Sequence, residues 1–592
     1  MLNLIRELFD CLTVVQKRRL LYLQVMIVIM SILEVTGIAL IGPFLAYVVN
    51  EDKNLGIFGF VNKIAVVDSS DLILYLGVFI LVLLFISTIV SILTTFLLAM
   101  FSAKTGAELS DRLFKYYCEQ DVLFHNAKNT SLITKNLSTE TIRMTDLVIN
   151  PFMQMNAKIV LCVFILGFIF IVDPFVALTG VSLFIIIYYM IYLFVKTKLY
   201  INGRDLTQVI GQRFLTINEC FGGINEVILS NKTKFYHDKY IELGKLYSKT
   251  RGANHAISLA PRYLVEMIAY GAIISVILVY LTFYPYELNS FINLIAMYAI
   301  ASLKLLPALQ QIFTSTTQIR GNISSFMHLK DDLLASNVVK EGAVTYELSG
   351  FESVEFQNVN FKYPSKTNCS ITEMSLRIVK NECVAFVGPS GSGKSTLVNI
   401  LLGLLIPNDG RVCVNGSPRG FDLYKNRACI IGYVPQNIYL TDNTILENIA
   451  FGVDPENIDL SRVNLAVISA NLGDFLDSLE FGLETHVGER GVQISGGQKQ
   501  RIGIARALYN DPEILIFDEA TSALDGNSEK LILESINSVL HKKTIIMIAH
   551  RLNTVKKCDT IHVMANGEIV DSGSYEELIS NNKMFQGMVN NA

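Results

Sequence analysis

The stretch Gly388-Pro-Ser-Gly-Ser-Gly393-Lys394-Ser395-Thr396 decides how this chain is read. It fits the pattern Gly, four residues, Gly, Lys, then Ser or Thr, which is that of a phosphate-binding loop. An apolar run, Cys383-Val-Ala-Phe-Val387, precedes it and reads as a buried strand; Leu397-Val-Asn-Ile-Leu-Leu-Gly403 follows and reads as a helix. The pattern needs that context. Glycines let backbone N–H groups turn inward onto phosphate oxygens, and the helix N-terminus adds partial positive charge. In such a loop Lys394 reaches the β- and γ-phosphates of ATP and the Ser395 hydroxyl ligates Mg²⁺. Ser390, Gly391 and Thr396 complete the cradle.

Working outward, apolar Ile514-Leu-Ile-Phe517 runs straight into Asp518-Glu519. Alone this would be a strand end with two solvated acids. Beside a phosphate loop it is the delivery of two carboxylates: Asp518 to hold Mg²⁺, directly or through water, and Glu519 to orient or deprotonate the attacking water. Between loop and acids lies Ile494-Ser-Gly-Gly-Gln-Lys-Gln-Arg501. A Ser-Gly-Gly turn opening a helix is a second anion-binding device. Ser495, Gly496, Gly497 and Gln498 would meet the same γ-phosphate as the first loop if they came from a partner chain.

The rest of the chain is of a different kind. Of 592 residues, 51% are hydrophobic and 17% charged, and the charges are thin in residues 20–315. Six stretches there are long and apolar enough for a helix to cross ~30 Å of hydrocarbon: roughly 21–49, 72–101, 157–172, 175–195, 259–282 and 291–313. The third is short unless it begins inside the preceding polar stretch. Segments 1–20, 102–156 and 196–258 are rich in Lys and Arg, the last holding ten. The segment 50–71 has only Lys53 and Lys63, beside four acids, and the turn Asp173-Pro174 and the loop 283–290 have none. By the positive-inside rule both termini are cytoplasmic. Helical patterns at 108–114 and 211–219 imply helices that continue past the membrane and turn back. Residues 54–66 fit a short interfacial helix or an ordinary loop equally well. The N-terminus lacks the order of a cleaved signal peptide. A net charge of −4 gives no global reason to expect nucleic acid, and nine cysteines without metal-ligand or paired spacing read as buried, reduced thiols. The expected division is a transmembrane domain over 1–315, a linker over 316–350, and an α/β ATPase domain with a helical subdomain over 351–592.

With those residues in place, the chain resembles an ATP-binding-cassette exporter half-transporter. Ile494-Ser-Gly-Gly-Gln498 is similar to the family signature, with Ile where Leu is usual, a change that keeps volume and apolarity. The resemblance implies roles for further residues. Tyr363, in Phe361-Lys-Tyr-Pro364, would stack on adenine. Gln436, in Tyr433-Val-Pro-Gln436, would reach Mg²⁺ and the attacking water. Asp525, ending Ser522-Ala-Leu-Asp525, would cross to the partner site. His550, in Ile548-Ala-His-Arg551, would contact the γ-phosphate. Val487-Gly-Glu-Arg-Gly491 would touch the membrane domain. One copy of each domain implies a homodimer with two composite ATP sites; a heterodimer would satisfy the same geometry.

The spans also hold Glu34, Arg262, Glu266 and Lys304. Arg262 and Glu266, four apart, can pair on one helix. Arg262 and Lys304 either face an inner cavity or lie wet below the bilayer. Ala260-Pro-Arg-Tyr-Leu-Val-Glu266, Leu303-Lys-Leu-Leu-Pro307, Glu34 and Gly432-Tyr-Val-Pro-Gln-Asn-Ile-Tyr-Leu440 are similar to stretches of the PglK-type flippases of lipid-linked oligosaccharides. That implies a polyprenyl-pyrophosphate glycan as substrate, membrane lipid as partner, the inner membrane as location, and Arg262, Lys304 and Glu34 as substrate residues. Lys304 stands where an Arg is usual, losing bidentate geometry. Span two has Ser87-Thr88 and no basic residue. Export of a peptide, drug or lipid A-like lipid is the alternative. A chromosome-organising ATPase would need a long coiled coil between loop and signature, where residues 397–493 leave no room for one.

Overall fold

A computed structural model of the chain describes residues 2–49, 69–172, 174–264, 266–267, 270–271, 274, 278, 288–337, 346–364, 368–418, 420–424, 426–488, 491–519, 526–549 and 554–590. The residues fall into two compact units, Met1–Gln120 with Phe124–Val339, and Asp121–Leu123 with Lys340–Ala592. His550, Asp525, Asp173, the stretch 54–66, most of 259–282 beyond Met267, and Glu489 and Arg490 lie outside the described residues or largely so.

The first unit is helical. Its long helices are α1 (Val14–Val49), α2 (Ser69–Cys118), α3 (Asn150–Val172), α4 (Pro174–Gly222), α5 (Thr233–Leu259) and α6 (Leu288–Ala335). Among the described residues, three helical stretches have the length and apolarity to cross a membrane: Val14–Ile41, Leu74–Cys118 and Thr130–Ile171. Helix α2 has 50 residues. At ~1.5 Å per residue it is about 75 Å long, more than twice the hydrocarbon core. Helix α4, with 49 residues, overshoots in the same way, so the patterns at 108–114 and 211–219 are helix and not loop. Leu81, Phe85, Ile89, Ile92 and Phe96 of α2 are exposed. An apolar surface of this size is one that lipid or a second chain covers.

The third span does begin inside the preceding polar stretch: α3 starts at Asn150 and is preceded from Thr130 by helical segments, two of them π-helical, Asn136–Glu140 and Thr145–Ile149. One expectation for this unit needs correction: the start of the expected linker is helix, since residues 316–335 continue α6. Ile319, Ile323, Phe326, Leu329 and Leu333 recur at helical spacing and are buried against Leu109, Leu113, Met144 and Val148. Some hydroxyls of this stretch bond the helix itself, as when Thr316 donates to the Ile312 carbonyl at 2.8 Å and Ser325 to the Asn322 carbonyl at 2.7 Å, while Ser324 donates across to the Gly203 carbonyl of α4 at 2.8 Å.

The same unit buries a charged knot. Glu140, fully buried, lies 3.5 Å from Lys135 Nζ and 3.4 Å from Arg143 Nη1. Arg143 also donates to Asn322 Oδ1 on α6 at 3.0 Å and to Thr207 Oγ1 on α4 at 2.9 Å. Buried charges persist only when paired and hydrogen-bonded. Here the pairing ties three helical segments together.

The second unit has two sheets. Three antiparallel strands run in the order β2-β1-β4: β1 (Ser353–Phe361), β2 (Ile371–Val379) and β4 (Asp409–Val414). Six strands run β5-β6-β7-β3-β8-β9: β3 (Cys383–Val387), β5 (Ile431–Val434), β6 (Ile514–Asp518), β7 (Thr544–Ile548), β8 (Thr560–Ala565) and β9 (Glu568–Gly573). Only β8–β9 is antiparallel in this sheet. Strands β3 and β7 are buried throughout, which is why they read as unbroken apolar runs. Helix α7 (Lys394–Leu401) follows β3 directly. A helical region, with Ile445–Ile449, Leu460–Ser469 and Gly473–Asp477, packs with helix α8 (Gly496–Leu508) into one core. All nine cysteines are free and Cys383 and Cys413 are buried in their strands, but the expectation that the thiols are buried needs correction: Cys118, Cys369 and Cys429 are exposed and Cys220 is partly so.

Candidate functional site

Ligands of parallel sheets sit beyond the carboxyl ends of the strands. In this sheet those ends carry Gln436 after β5, Asp518 and Glu519 at β6, and the loop 388–393 after β3. The loop backbone has the required shape. Gly388, Gly391 and Gly393 have φ of 154°, 81° and 106°. A Cβ on Gly393 would stand 2.6 Å from the Ser370 carbonyl oxygen, so strain and crowding both demand glycine there. Lys394 is buried, and its Nζ donates to the carbonyls of Gly388 at 2.8 Å and Pro389 at 3.0 Å. Burial pushes this ammonium below its ordinary range, opposed by the charges of Glu519 and Asp518. Ser390, Gly391 and Ser395 are exposed, while Thr396 is buried with its Oγ1 3.3 Å from Tyr363 Oη. Tyr363 stands edge-on to Phe361, ring centroids 5.0 Å apart.

The two acids are held differently. Glu519 adopts φ 50°, a left-handed conformation rare for a non-glycine residue, anchored by its N–H to the Ile548 carbonyl at 3.0 Å. Gln436 Nε2 donates to Glu519 Oε2 at 2.7 Å. Tyr433 Oη donates to Asp518 Oδ2 at 3.3 Å. Burial, and then the Asp518 charge, push the Tyr433 phenol up, so it stays protonated. The donor set of Ser395 hydroxyl, Gln436 amide and Asp518 carboxylate is all oxygen, which suits Mg²⁺. No group of three or more His, Cys, Asp or Glu suited to a metal exists among the described residues.

The Ser-Gly-Gly turn is a capping box. Ser495 Oγ accepts from the Gln498 N–H at 3.3 Å, and Gln498 Oε1 from the Ser495 N–H at 3.0 Å. This orients the start of α8 and leaves Gly496 and Gly497 as bare backbone in its first turn.

In the first unit, Arg262 and Glu266 pair at 2.8 Å, as their spacing predicts, with Gln310 3.4 Å from Glu266. Lys304 lies 3.3 Å from Glu34, which also accepts from Ser91 Oγ at 2.7 Å. A groove of about 510 Å³ is lined by Glu34, Ser87, Thr88, Ser91, Thr95 and Lys304, together with apolar Ile92, Phe96 and Ala99. Arg262 is not among its lining residues, so the two basic positions are not brought together here. Neither is a bare cation; each has a carboxylate partner. The sequence reading missed Ser91 and Thr95, although polar residues at 87, 88, 91 and 95 in an apolar span signal one helix face. It also missed Tyr433, whose signal was a tyrosine in a strand flanking an acid-bearing strand.

Residues 371–522 match the family model described as ABC transporter, and residues 21–250 match ABC transporter transmembrane region. An ATP-dependent lipid A-core flippase of Cupriavidus metallidurans is 42% identical over 234 residues, 39% of this chain and 39% of that protein. One from Paraburkholderia xenovorans is 27% identical over 497 residues, 83% of this chain and 82% of that one. The stronger matches thus span about two fifths of the curated flippases. The fold is that of a bacterial Atm1-family ABC exporter with ATP bound, with a TM-score of 0.78 at 22% identity over 98% of this chain and 99% of that one.

Proposed function

We propose that this chain, built from the transmembrane region and the nucleotide-binding domain of an ABC exporter, is a half-transporter. Two copies would hydrolyse ATP between them and move an amphipathic lipid with a saccharide head across the bacterial inner membrane. The observation that supports the ATPase reading is that the 388–396 loop, after β3, and Gln436, Asp518 and Glu519, at β5 and β6, lie at the carboxyl ends of one parallel sheet, with the charges of Glu519 and Asp518 acting on Lys394.

On this reading Lys394 exchanges the Gly388 and Pro389 carbonyls for β- and γ-phosphate oxygens. Both carbonyls hold the ammonium close to that position beforehand, which lowers the cost of reorganisation. Glu519 takes a proton from water, whose oxygen bonds the γ-phosphorus as the bond to the β-phosphate oxygen breaks and ADP leaves with the electron pair. Gln436 orients both the water and Glu519. Mg²⁺, held by Ser395, Gln436 and Asp518, would supply neutralisation of the phosphate charge. Ser495, Gly496, Gly497 and Gln498 of the second copy close the site from the other side, and Tyr363 covers the adenine. His550 and Asp525 enter from the motif resemblance alone.

For the substrate, support comes from the groove with Glu34, Lys304 and the hydroxyls of α2: an ammonium and hydroxyls suit phosphate and sugar oxygens. The resemblance of 260–266 and 303–307 favours a polyprenyl-pyrophosphate glycan, with Arg262 a further basic contact. The names of the curated relatives favour a lipid A-like lipid. The Lys and Arg bias supports a cytoplasmic position for both termini. Reconstituted chain decides: ATPase stimulation by a polyprenyl-pyrophosphate glycan supports the first substrate, and by lipid A-core the second. Stimulation by peptides alone removes both.

A further inference from the structure

Strand β5 carries a tyrosine that none of these roles uses. Tyr433 stands in register with Ile516 of the parallel neighbour β6. Asp518 lies two residues further along β6 and therefore on the same face of the sheet. The depth of β5 is fixed by Gly432. A Cβ there would meet the Ala507 carbonyl oxygen at 2.5 Å and Leu515 Cδ2 at 2.9 Å, so no other residue lets the strand lie against α8. The Tyr433 ring packs on the core that includes Phe386, Leu397 and Ile516. Its hydroxyl then emerges at Asp518 Oδ2, 3.3 Å away. Three residues on, the same segment delivers Gln436 to Glu519 at 2.7 Å. One strand end thus bonds both acids, one through a rigid ring and one through a flexible amide. At 3.3 Å the tyrosine bond is long for O–H···O, as catalytic hydrogen bonds often are before substrate is bound.

We infer that Tyr433 is a positioning residue: its hydroxyl fixes the rotamer in which Asp518 meets the metal of the bound nucleotide. A carboxylate turns about χ2 at little cost, and a second-sphere donor removes that freedom. Such donors typically contribute a factor of about 10–100 in metal affinity. The inference rests on the proposal that Asp518 holds the metal, and the experiment separates the two.

Tyr433→Phe removes one oxygen and keeps the ring. The measurement is retention of ATP by full-length Glu519→Gln chain, titrated with Mn²⁺ as the metal probe, with and without Tyr433→Phe. The half-saturating Mn²⁺ concentration is expected to rise about tenfold, while ATP binding in EDTA and the thermal midpoint stay unchanged. An unshifted Mn²⁺ titration overturns the inference. So does a shift matched by equal loss of ATP binding in EDTA, which would mark a role in packing. Asp518→Asn is the control. If it leaves the Mn²⁺ titration unchanged, the assignment of Asp518 fails; if it shifts while Tyr433→Phe does not, only the role of Tyr433 fails.

Discussion

Glu519 sits at φ 50°, a conformation that costs a non-glycine residue on the order of 1–3 kcal/mol and survives where the surroundings impose it. Here they are the Ile548 carbonyl behind it and the Gln436 amide in front. A carboxylate held in this pose supports the proposed role of Glu519 as general base. Glu519→Gln is expected to cut ATP turnover by a factor of about 10²–10⁴ while ATP still binds; turnover at the wild-type rate would remove Glu519 from that role. Gly393→Ala tests the loop. With φ 106° and a carbonyl oxygen 2.6 Å from the new Cβ, the nucleotide affinity should collapse, read by equilibrium binding of a fluorescent ATP analogue. These residues were legible because motif spacing is a local property. Tyr433 and the Lys304–Glu34 pair were not. The latter joins residues 270 apart in sequence, and no local pattern encodes which helix faces meet.

At the scale of elements, the period of hydrophobicity identified the buried strands and long helices, and failed where polarity was satisfied internally. Strand β1 alternates with a slip: Val354 and Phe356 are buried, then Val359 and Phe361. Asn358, at φ 50°, is the extra residue, and the β1–β2 register shifts there, as a bulge requires. The sequence shows the apolar residues but not the bulge. Residues 316–335 mislead for the opposite reason, since some of their hydroxyls bond the helix backbone. The knot at Arg143 was equally hidden. Arg143→Met leaves Glu140 with only part of its compensation, and breaking a buried pair costs about 3–5 kcal/mol. A fall in the calorimetric unfolding temperature of the first unit checks this; an unchanged value would mean Lys135 suffices. In β8, burial pushes the His562 imidazole down to about 4 from 6.5. A lowered folded value means the stability is whole above pH 6.5 and is lost as the pH falls toward 4. The second unit should weaken over that window, and His562→Gln should flatten the fall seen by calorimetry.

At the scale of the molecule, long apolar helices and a phosphate-loop sheet occur in one chain, and that division was plain from composition. What composition does not show is why one domain has two anion-binding turns. The Ser495–Gln498 capping box presents glycine N–H groups at the start of α8, while the loop at 388–393 already has its own glycines, lysine and helix. On the proposed reading a second copy resolves this, each turn serving the other chain's nucleotide. The most direct test is the particle mass and occluded ATP of Glu519→Gln chain, with and without Gly497→Asp, which sets a carboxylate against the phosphates. The account predicts a particle of two chains, each of 66.1 kDa, that retains ATP at every copy and loses that retention with Gly497→Asp. A single-chain particle that retains ATP, or retention indifferent to Gly497→Asp, would contradict it.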